Sequence, residues 1–271
     1  MKRLLILPSD ERQQYVMKFL KKKGYKCKLY SKKNSLKKEK AVVLPIPSVV
    51  NGIINSNSIS YEEFVDSLDK NCVVFAFCVK DTDFADLMEE KNIRYFDCYL
   101  CEELAQKNAY ATAQGVLKYI LLETKTMLYK KKILISGYGR TGKAICNYLH
   151  ALGADITVVV RRRKYINMLK KQNIKGVFYQ DLKQDKINFD YLINTVAVRV
   201  IDRDIIENLN IDCKILEIAS KPYGIDFQEA RKKDIKVEIL PSLPSKAAPE
   251  SAGEFIADTI DNIIKEENLW K

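Results

Sequence analysis

Short runs of consecutive apolar residues recur along the chain, and between them apolar residues return every three or four positions. Residues 72–79, CVVFAFCV, form one such run, which is typical of a strand buried on both faces within a parallel sheet. The alternation of strand-type and helix-type segments predicts an α/β protein. The other predicted strands are residues 3–7, 27–30, 41–44, 93–96, 133–136, 156–160, 176–179, 191–196, 215–218 and 237–240.

The segments with helical spacing are expected to cover the predicted sheets. Ser9 is predicted to cap the first helix, with Asp10 and Glu11 in its first turn. The later predicted helices are residues 61–68, 84–92, 109–129 and 144–152, followed by a final apolar stripe from Ala252 to Ile263. The polar residues 31–40, the Asn- and Ser-rich residues 51–60 and the proline-rich residues 241–249 are predicted to be loops.

Residues 132–163 combine a strand, a glycine-rich turn, a helix and a second strand. The first glycine of a G-x-G-x-x-G turn allows a tight turn, the second lets the backbone approach a pyrophosphate, and the third lets the helix pack close to the strand. The first N–H groups of the helix would point at the phosphates. This stretch therefore predicts a dinucleotide-binding Rossmann domain. Its candidate cofactor-binding residues are Gly137, Tyr138, Gly139, Arg140, Thr141 and Gly142.

Three arginines, Arg161, Arg162 and Arg163, follow the second strand of this unit. An acidic residue at this position would accept a hydrogen bond from the ribose 2′-hydroxyl of NAD and repel a 2′-phosphate. A guanidinium instead offers forked, permanently charged donors to phosphate oxygens. We therefore predict NADP as the cofactor. The alternative is a solvated basic turn in a lysine-rich chain.

The helix predicted at residues 109–129 leads directly into the strand of the glycine turn, so it is expected to bridge two domains. Residues 1–110 are predicted to form an N-terminal, substrate-side α/β domain of flavodoxin-like pattern, joined by a returning C-terminal helix at 251–271. Residues 111–250 are predicted to form the Rossmann NADP-binding domain, with a cleft between the two domains.

Composition adds limits on function. A chain of 271 residues with 47% hydrophobic and 30% charged residues is long enough for two domains. The sequence shows no membrane-length apolar run or signal peptide, so a cytoplasmic location is expected. The net charge of +11 is spread along the chain without a nucleic-acid-binding motif, which favours an anionic cofactor and substrate over nucleic acid. Cys98 and Cys101 lack zinc-site partners, so no metal site is predicted.

Seven motifs in order resemble those of one family, the NADP-linked subunit of dipicolinate synthase, and the resemblance covers nearly the whole chain. Some positions depart from the family pattern: Gln114 stands in place of a glutamate, Ser9 and Ser245 replace glycines, and Tyr223 and Glu250 are unusual. The matching segments are DERQ (10–13), LPIP (44–47), NAYATAQGV (108–116), GYGRTG (137–142), INT (193–195), IASKPYGIDF (218–227) and LPSKAAPESAG (243–253).

This resemblance implies an enzyme that oxidises 2,3-dihydrodipicolinate, a cyclic dianion, to dipicolinate (pyridine-2,6-dicarboxylate), with NADP⁺ taking the hydride. Aromatisation supplies driving force, so the site would need orientation and charge complementarity more than a strong base. The resemblance also implies a flavoprotein-like second subunit of dipicolinate synthase as partner, and a location in the mother cell of a sporulating bacterium. A homo-oligomer is left open. Thr195, Val196 and Ala219, in or beside the matched motifs, join the cofactor-binding candidates.

Two substrate carboxylates call for cationic residues, and Arg12 and Lys246 are the candidate catalytic and substrate-binding residues. Arg12 begins a helix after the first predicted strand, at the carboxyl end where open α/β sheets place ligands. A surface ion pair is the alternative role for it. Gln114 on the bridging helix is a further substrate-binding candidate. His150 is expected to be structural, and Arg199 to be a solvated loop charge.

Two other functions remain open on the sequence. One is a different NADP-dependent dehydrogenase of two domains, of the shikimate or methylenetetrahydrofolate dehydrogenase type, although the catalytic lysine context of those families is not found. The other is a nucleotide-sensing protein without turnover. Nucleotide affinity without activity on dihydrodipicolinate would support the latter.

Overall fold

The computed structural model describes residues 3–31, 36–184 and 186–270. The chain divides into two compact units: the first comprises Met1–Asn108 and Ala248–Lys271, and the second comprises Ala109–Ala247. The strands of the described part are β1 (Arg3–Ile6), β2 (Lys26–Leu29), β3 (Ala41–Val43), β4 (Val49–Val50), β5 (Ile53–Ile54), β6 (Val73–Ala76), β7 (Arg94–Asp97), β8 (Lys132–Ser136), β9 (Asp155–Val159), β10 (Lys175–Val177), β11 (Tyr191–Asn194), β12 (Lys214–Glu217) and β13 (Val237–Ile239). Its α-helices are α1 (Arg12–Lys22), α2 (Tyr61–Asp66), α3 (Asp83–Glu90), α4 (Glu102–Glu123), α5 (Arg140–Ala151), α6 (Arg163–Lys170), α7 (Arg203–Asn208), α8 (Phe227–Lys232), α9 (Leu243–Ala247) and α10 (Pro249–Glu266).

The first unit is built on a five-stranded parallel sheet of order β2-β1-β3-β6-β7. This is the flavodoxin-like order, in which the direction of strand addition reverses between the first and third strands. Side chains alternate across β1: Leu4 and Ile6 pack with α1 and α10, whereas Leu5 packs with α2 and α3. The ends of β1 and β3 therefore meet at the point where open α/β sheets bind ligands.

Helix α10 packs closely on α1 within this unit. A Cβ atom at Gly253 would lie 2.5 Å from Tyr15 Cβ and 2.8 Å from the backbone oxygen of Arg12. A side chain there would push the two helices apart, so glycine permits their close approach. At the buried side of α10, Asp261 accepts a hydrogen bond from Tyr25 Oη at 2.6 Å.

The second unit contains a six-stranded parallel sheet of order β10-β9-β8-β11-β12-β13. This is the Rossmann order, whose reversal lies between β8 and β11. Ile133 and Ile135 pack with α4 and α5, whereas Leu134 packs with α7 and α8, so the sheet is covered on both faces. The predicted fold class, α/β with Rossmann and flavodoxin-like parallel sheets, is confirmed.

Several local predictions differ from the structure. Ser9 does not cap α1, which was a wrong prediction: the helix begins at Arg12, whose backbone N–H donates to the Asp10 carboxylate at 3.0 Å. The N-cap residue is Glu11, whose side chain makes no capping hydrogen bond, and the Asp10 carboxylate lies close enough to accept from the first N–H of the helix. The Ser9 hydroxyl oxygen is buried without a hydrogen-bond partner among the described residues.

The predicted loop at residues 51–60 instead contains part of an antiparallel hairpin, β4 with β5. Asn51 and Gly52 both have positive φ, 51° and 78°, as expected at an Asn-Gly hairpin turn, so the signal was present in the sequence. The predicted loop at 241–249 includes α9, and the bridging helix α4 begins and ends earlier than predicted. In the predicted loop at 31–40, Leu36–Lys38 is a 3₁₀ turn and residues 32–35 lie outside the described residues.

Candidate functional site

The glycine turn after β8 is closely packed at its first and last glycines. Gly137 has a φ of +96°, and a Cβ there would lie 2.7 Å from both Thr195 Oγ1 and Val196 Cγ2. A Cβ at Gly142 would lie 2.2 Å from the carbonyl oxygen of Gly137. Both positions therefore require glycine, one for its backbone conformation and both for lack of space.

The middle glycine faces open space. Gly139 precedes α5 directly, and among the described residues outside its chain neighbours no atom lies within 4 Å of its Cβ position. The first turn of α5 follows directly, and the backbone N–H groups of a helix point toward its N-terminal end. The turn thus offers room beside a helix N-terminus, which is the arrangement that phosphate groups bind.

Tyr138 contributes its backbone rather than its ring to this turn. Its side chain is only 9% exposed and packs edge-on against Tyr165, with ring centroids 5.6 Å apart. The Lys143 ammonium lies over both rings, 5.4 Å and 5.6 Å from their centroids. The ring therefore anchors α5 to α6 beneath the turn.

Arg161, Arg162 and Arg163 are exposed after the end of β9, and Arg163 begins α6. Nearby, the hydroxyl groups of Tyr179 and Ser136 lie 2.9 Å apart, which links the ends of β10 and β8. Burial raises the pKa of Tyr179, and the hydrogen bond with Ser136 and the charge of Arg161 oppose that rise. Arg161 is thus close enough to act electrostatically on this hydroxyl pair at the end of the sheet.

A second polar network lies at the ends of β11 and β12. Asn194 and Glu217 are both fully buried, and Asn194 Nδ2 donates to both carboxylate oxygens of Glu217 at 2.9 Å. The same amide group also donates to the Val196 carbonyl oxygen at 2.9 Å, and Thr195 Oγ1 donates to the Ser136 carbonyl oxygen at 2.7 Å. These bonds hold residues 194–196 against the glycine turn.

Glu217 also binds the loop that follows β12. The N–H groups of Ala219 and Gly224 donate to Glu217 Oε1 at 2.9 Å and Oε2 at 3.0 Å. Burial raises the pKa of Glu217, although these N–H groups and Asn194 oppose the rise. The sequence interpretation missed Glu217, but its signal was available: one acidic residue within the apolar predicted strand 215–218.

In the first unit, Arg12 is 3% exposed and binds Asp10 with a forked geometry. Its Nε donates to Asp10 Oδ1 at 3.0 Å, and its Nη2 to Asp10 Oδ2 at 2.6 Å. Nη2 also donates to the Ile46 carbonyl oxygen at 3.3 Å, joining the segments that follow β1 and β3. Burial raises the pKa of Tyr99 to about 12 while Arg12 opposes the rise, so this phenol faces the guanidinium. The ion pair thus joins a buried guanidinium to a carboxylate that stays partly exposed.

One carboxylate organises the neighbouring strand ends of this unit. Asp97, at the end of β7, accepts hydrogen bonds from the N–H groups of Cys78 at 3.1 Å, Val79 at 2.9 Å and Lys80 at 3.1 Å. It also accepts one from the Tyr99 N–H at 3.0 Å. The loop after β6 and the turn after β7 are therefore held beside the Arg12 pair.

The other candidate residues occupy different places. Gln114 is an exposed residue of α4, and Lys246 is an exposed residue of α9. These two helices contact each other within the second unit, where Gly115 packs against Leu243. Arg12 belongs to the first unit, so no single unit contains all three substrate-binding candidates.

Two further residues that the sequence analysis considered, His150 and Arg199, lie outside these networks. His150 lies in the last turn of α5, at the opposite end of that helix from Gly139. Arg199 is a largely exposed partner of Asp226 at 3.4 Å, as a solvated charge would be.

Known proteins resemble this chain in both sequence and fold, although no protein-family model matches the sequence. A dipicolinate synthase subunit of Bacillus subtilis (strain 168) is 25% identical over 232 residues, which are 83% of this chain and 78% of that protein. The solved structure of the corresponding subunit from Bacillus halodurans matches with a TM-score of 0.84 and 23% identity, covering 100% of this chain and 98% of that one. The chain resembles this subunit of dipicolinate synthase.

The resemblance that the sequence motifs predicted is therefore confirmed. The fold is also similar to that of D-lactate dehydrogenase from Escherichia coli, with a TM-score of 0.67, 12% identity and coverage of 98% and 97% of the two chains. Together these structural similarities show that the chain shares its α/β fold with both proteins. In the described part of the chain, no helix combines the length and apolarity that crossing a membrane requires.

Proposed function

We propose that this chain oxidises 2,3-dihydrodipicolinate to dipicolinate with NADP⁺, as the NADP-linked subunit of a dipicolinate synthase in the mother cell of a sporulating bacterium. The observation that carries the proposal is the open glycine turn at the reversal point of a Rossmann-order sheet, in a chain that is similar to a dipicolinate synthase subunit over 83% of its length. The second, flavoprotein-like subunit is proposed because that relative is named as one subunit of its enzyme, and because the motifs resemble the same family.

The residues around the glycine turn fit a dinucleotide. The space beside Gly139 and the first N–H groups of α5 would receive the pyrophosphate, because a helix N-terminus stabilises negative charge. The exposed guanidinium groups of Arg161, Arg162 and Arg163 would bind the 2′-phosphate. When bound, the nicotinamide ring supplies the acceptor for the hydride that leaves the substrate.

Thr195, Val196 and Ala219 lie on the other side of the turn, at the ends of β11 and β12. Val196 Cγ2 touches the Gly137 position, and the Ala219 N–H is already bonded to Glu217. These three residues would therefore line the part of the site that receives the nicotinamide ring. The Ala219 N–H would not donate a hydrogen bond to the cofactor, because it already donates to Glu217. Their role is to orient the ring and exclude water from it.

Arg12 and Lys246 are proposed to bind the two substrate carboxylates, with Gln114 as a neutral neighbour. Because Asp10 occupies the forked side of Arg12, a substrate carboxylate would use the remaining Nη1 or exchange with Asp10. Lys246 is exposed and carries its charge on a flexible side chain, so it needs no such exchange. Orientation and charge complementarity would then supply the catalysis, since aromatisation drives the reaction.

The test is an assay with dihydrodipicolinate generated in situ, in which reduced cofactor and the pyridine product are followed together. Purified chain is measured alone and with the second subunit, and with NADP⁺ and NAD⁺ in parallel. We expect both products in equal amounts, faster with NADP⁺. If neither product forms in any combination while the nucleotide still binds, the proposed reaction is wrong.

That negative result would favour a nucleotide-sensing protein without turnover. The observation on its side is the closed Arg12–Asp10 pair, which leaves the forked face of the guanidinium occupied. Affinity for NADP⁺ that is unchanged by dipicolinate, the product of the proposed reaction, would support this second function.

A further inference from the structure

Glu217 is a buried carboxylate whose hydrogen-bond partners among the described residues are all donors. Oε1 accepts from Asn194 Nδ2 and the Ala219 N–H, and Oε2 accepts from the same Nδ2 and the Gly224 N–H, at 2.9 to 3.0 Å. An ionised carboxylate accepts at every oxygen and donates nowhere, so it satisfies this set completely. A neutral amide would place its own N–H groups against one of these donors.

These bonds connect two segments that are separate in the sequence. Asn194 ties Glu217 to the end of β11, where its side chain bonds both the N–H and the carbonyl oxygen of Val196. Gly224 brings the loop after β12 close to the end of β11. A Cβ at Gly224 would lie 2.2 Å from the Val196 carbonyl oxygen and 2.4 Å from Asn194 Nδ2. The Gly224 carbonyl oxygen in turn accepts from the Ile201 N–H at 2.9 Å.

The position of this network within the sheet indicates which half of a dinucleotide it serves. A Rossmann sheet consists of two mononucleotide-binding halves that meet at the reversal of strand order. The glycine turn and Arg161 follow β8 and β9 on one side, whereas Glu217 and its partners follow β11 and β12 on the other. The adenine half is thus assigned to the first side and the nicotinamide half to the second.

We propose that Glu217 is a positioning residue for the nicotinamide half of the cofactor site. It holds residues 194–196 and the loop 219–224 in one arrangement without touching the cofactor. The inference rests on the proposed function only in requiring that a nicotinamide dinucleotide binds, and it does not depend on which substrate is oxidised.

The test compares the affinities for NADPH and for adenosine 2′,5′-bisphosphate, which carries the adenine half alone. Both are measured by isothermal titration calorimetry on the full chain, and folding is checked by circular dichroism and thermal melting. Glu217→Gln should weaken NADPH binding by about 10- to 100-fold, because one donor of the buried network loses its acceptor. Bisphosphate affinity should change less than about twofold, since its contacts lie beyond β8 and β9.

Three further variants sharpen the comparison. Gly224→Ala should likewise weaken NADPH binding and leave bisphosphate binding unchanged, because its methyl group would displace the Val196 carbonyl oxygen. Glu217→Asp keeps an acceptor-only group and should recover part of the NADPH affinity. The matched control is Asp261→Asn, which removes another buried carboxylate, bonded to Tyr25, in the first unit. It should lower the melting temperature and leave both affinities unchanged.

The outcomes separate this inference from the proposed function. Equal weakening of NADPH and bisphosphate binding, or no change in either, overturns the positioning role. Failure of both Glu217→Gln and Gly224→Ala to fold also overturns it, because the network would then serve stability as a whole. A parent protein that binds neither ligand contradicts the proposed function itself, whereas a parent that binds both without turnover contradicts only the proposed reaction.

Discussion

The carboxyl ends of the two sheets form different kinds of polar surface, although each end is organised by a carboxylate of its own. In the first unit Asp97 gathers the N–H groups that follow β6 and β7, and in the second Glu217 gathers those that follow β12. The principal cations differ. Arg12 is buried and paired with Asp10, whereas Arg161 is exposed.

This difference separates a surface that is ready for an anion from one that must rearrange. Beside Gly139 no described atom outside its chain neighbours lies within 4 Å of the Cβ position, so this side of the turn has room for an anion next to a helix N-terminus. An anion at Arg12 has to compete with a carboxylate already at 2.6 Å. We therefore expect a change at Gly139 to act on ligand binding alone, and changes at Arg12 to act on stability as well.

The largest expected effect is at the open glycine. Gly139→Val should weaken nucleotide binding by about 100-fold or more, because the valine side chain would fill the space proposed for the pyrophosphate. Its melting temperature should stay near that of the parent, since no described atom beyond its chain neighbours crowds that position. Affinity is measured by calorimetry and folding by thermal melting.

The matched control is Gly142→Val, where the added atoms would meet the Gly137 carbonyl at 2.2 Å. That variant should lose stability as well as binding. Parental nucleotide affinity in Gly139→Val would show that the turn has another role.

The next effect is on substrate rather than cofactor. Arg12→Ala should lower kcat/KM by about 100-fold, equivalent to roughly 3 kcal/mol, while NADP affinity changes little. Arg12→Lys should recover only part of the activity, because an ammonium keeps the charge but loses the fork. Steady-state kinetics with dihydrodipicolinate measures both.

Removing Arg12 also leaves Asp10 as an unpaired, partly buried carboxylate, so stability must be controlled. Asp10→Asn breaks the ion pair but keeps the guanidinium, and it separates the two contributions. If Arg12→Ala turns over the substrate normally, the carboxylate site must be reassigned, with Lys246 as the next candidate.

A smaller change is expected at the arginines after β9. Arg161→Asp should weaken NADP binding by about tenfold or more, because a charge-assisted hydrogen bond contributes roughly 1.5–3 kcal/mol. NAD binding should be equal or better, since the new carboxylate can accept from a 2′-hydroxyl. Calorimetric titrations of both cofactors are compared. Equal affinity of the parent for NADP and NAD would contradict the predicted preference.

The smallest effect concerns acid stability and contrasts the buried carboxylates of the two units. Burial would raise the pKa of Asp261, but hydrogen bonds from Lys265 and Tyr25 hold it below its usual value of 3.8. Its stabilisation is therefore complete above that value and is lost as the pH falls through the lower, folded-state pKa. The pKa of Glu217 is raised by burial instead, so its contribution to stability is complete below the usual value of 4.5 and is lost as the pH rises above that value through the folded-state pKa.

Asp261→Asn should lower the melting temperature at neutral pH by about 2–8 °C, for a loss of roughly 1–2 kcal/mol. The difference from the parent should shrink toward zero in acid, because the parent carboxyl is then protonated. Melting curves measured across the acid range give this comparison. A difference that stays constant with pH would show that ionisation of Asp261 contributes nothing.

The elements of the glycine-turn unit were predicted closely because their signals are local. Gly137 needs its positive φ, and Gly142 its missing side chain, whatever the rest of the chain does. The apolar runs and helical stripes follow from the side-chain periods of strands and helices, so most strands were placed within a few residues of their observed bounds. Local signals also existed for the hairpin at Asn51-Gly52, although the prediction overlooked them.

Long-range partners could not be predicted in the same way. Nothing in the neighbourhood of Glu217 in the sequence shows that it will accept from Asn194, which lies 23 positions earlier. Likewise, Arg12 was correctly placed after β1, but its bond to the Ile46 carbonyl depends on β3 pairing beside β1. Such bonds arise only when the strand order brings two loop ends together.

The sequence by itself therefore determined the α/β class, the glycine turn and the positive charge that follows β9, because each depends on neighbouring residues and on backbone conformation. Only the tertiary structure decided whether each charge is available. Arg161 is exposed, whereas Arg12 is buried against Asp10 and Glu217 is enclosed by donors. The physical reason is that burial and pairing are properties of the packed sheet ends, where segments distant in the chain exclude water together.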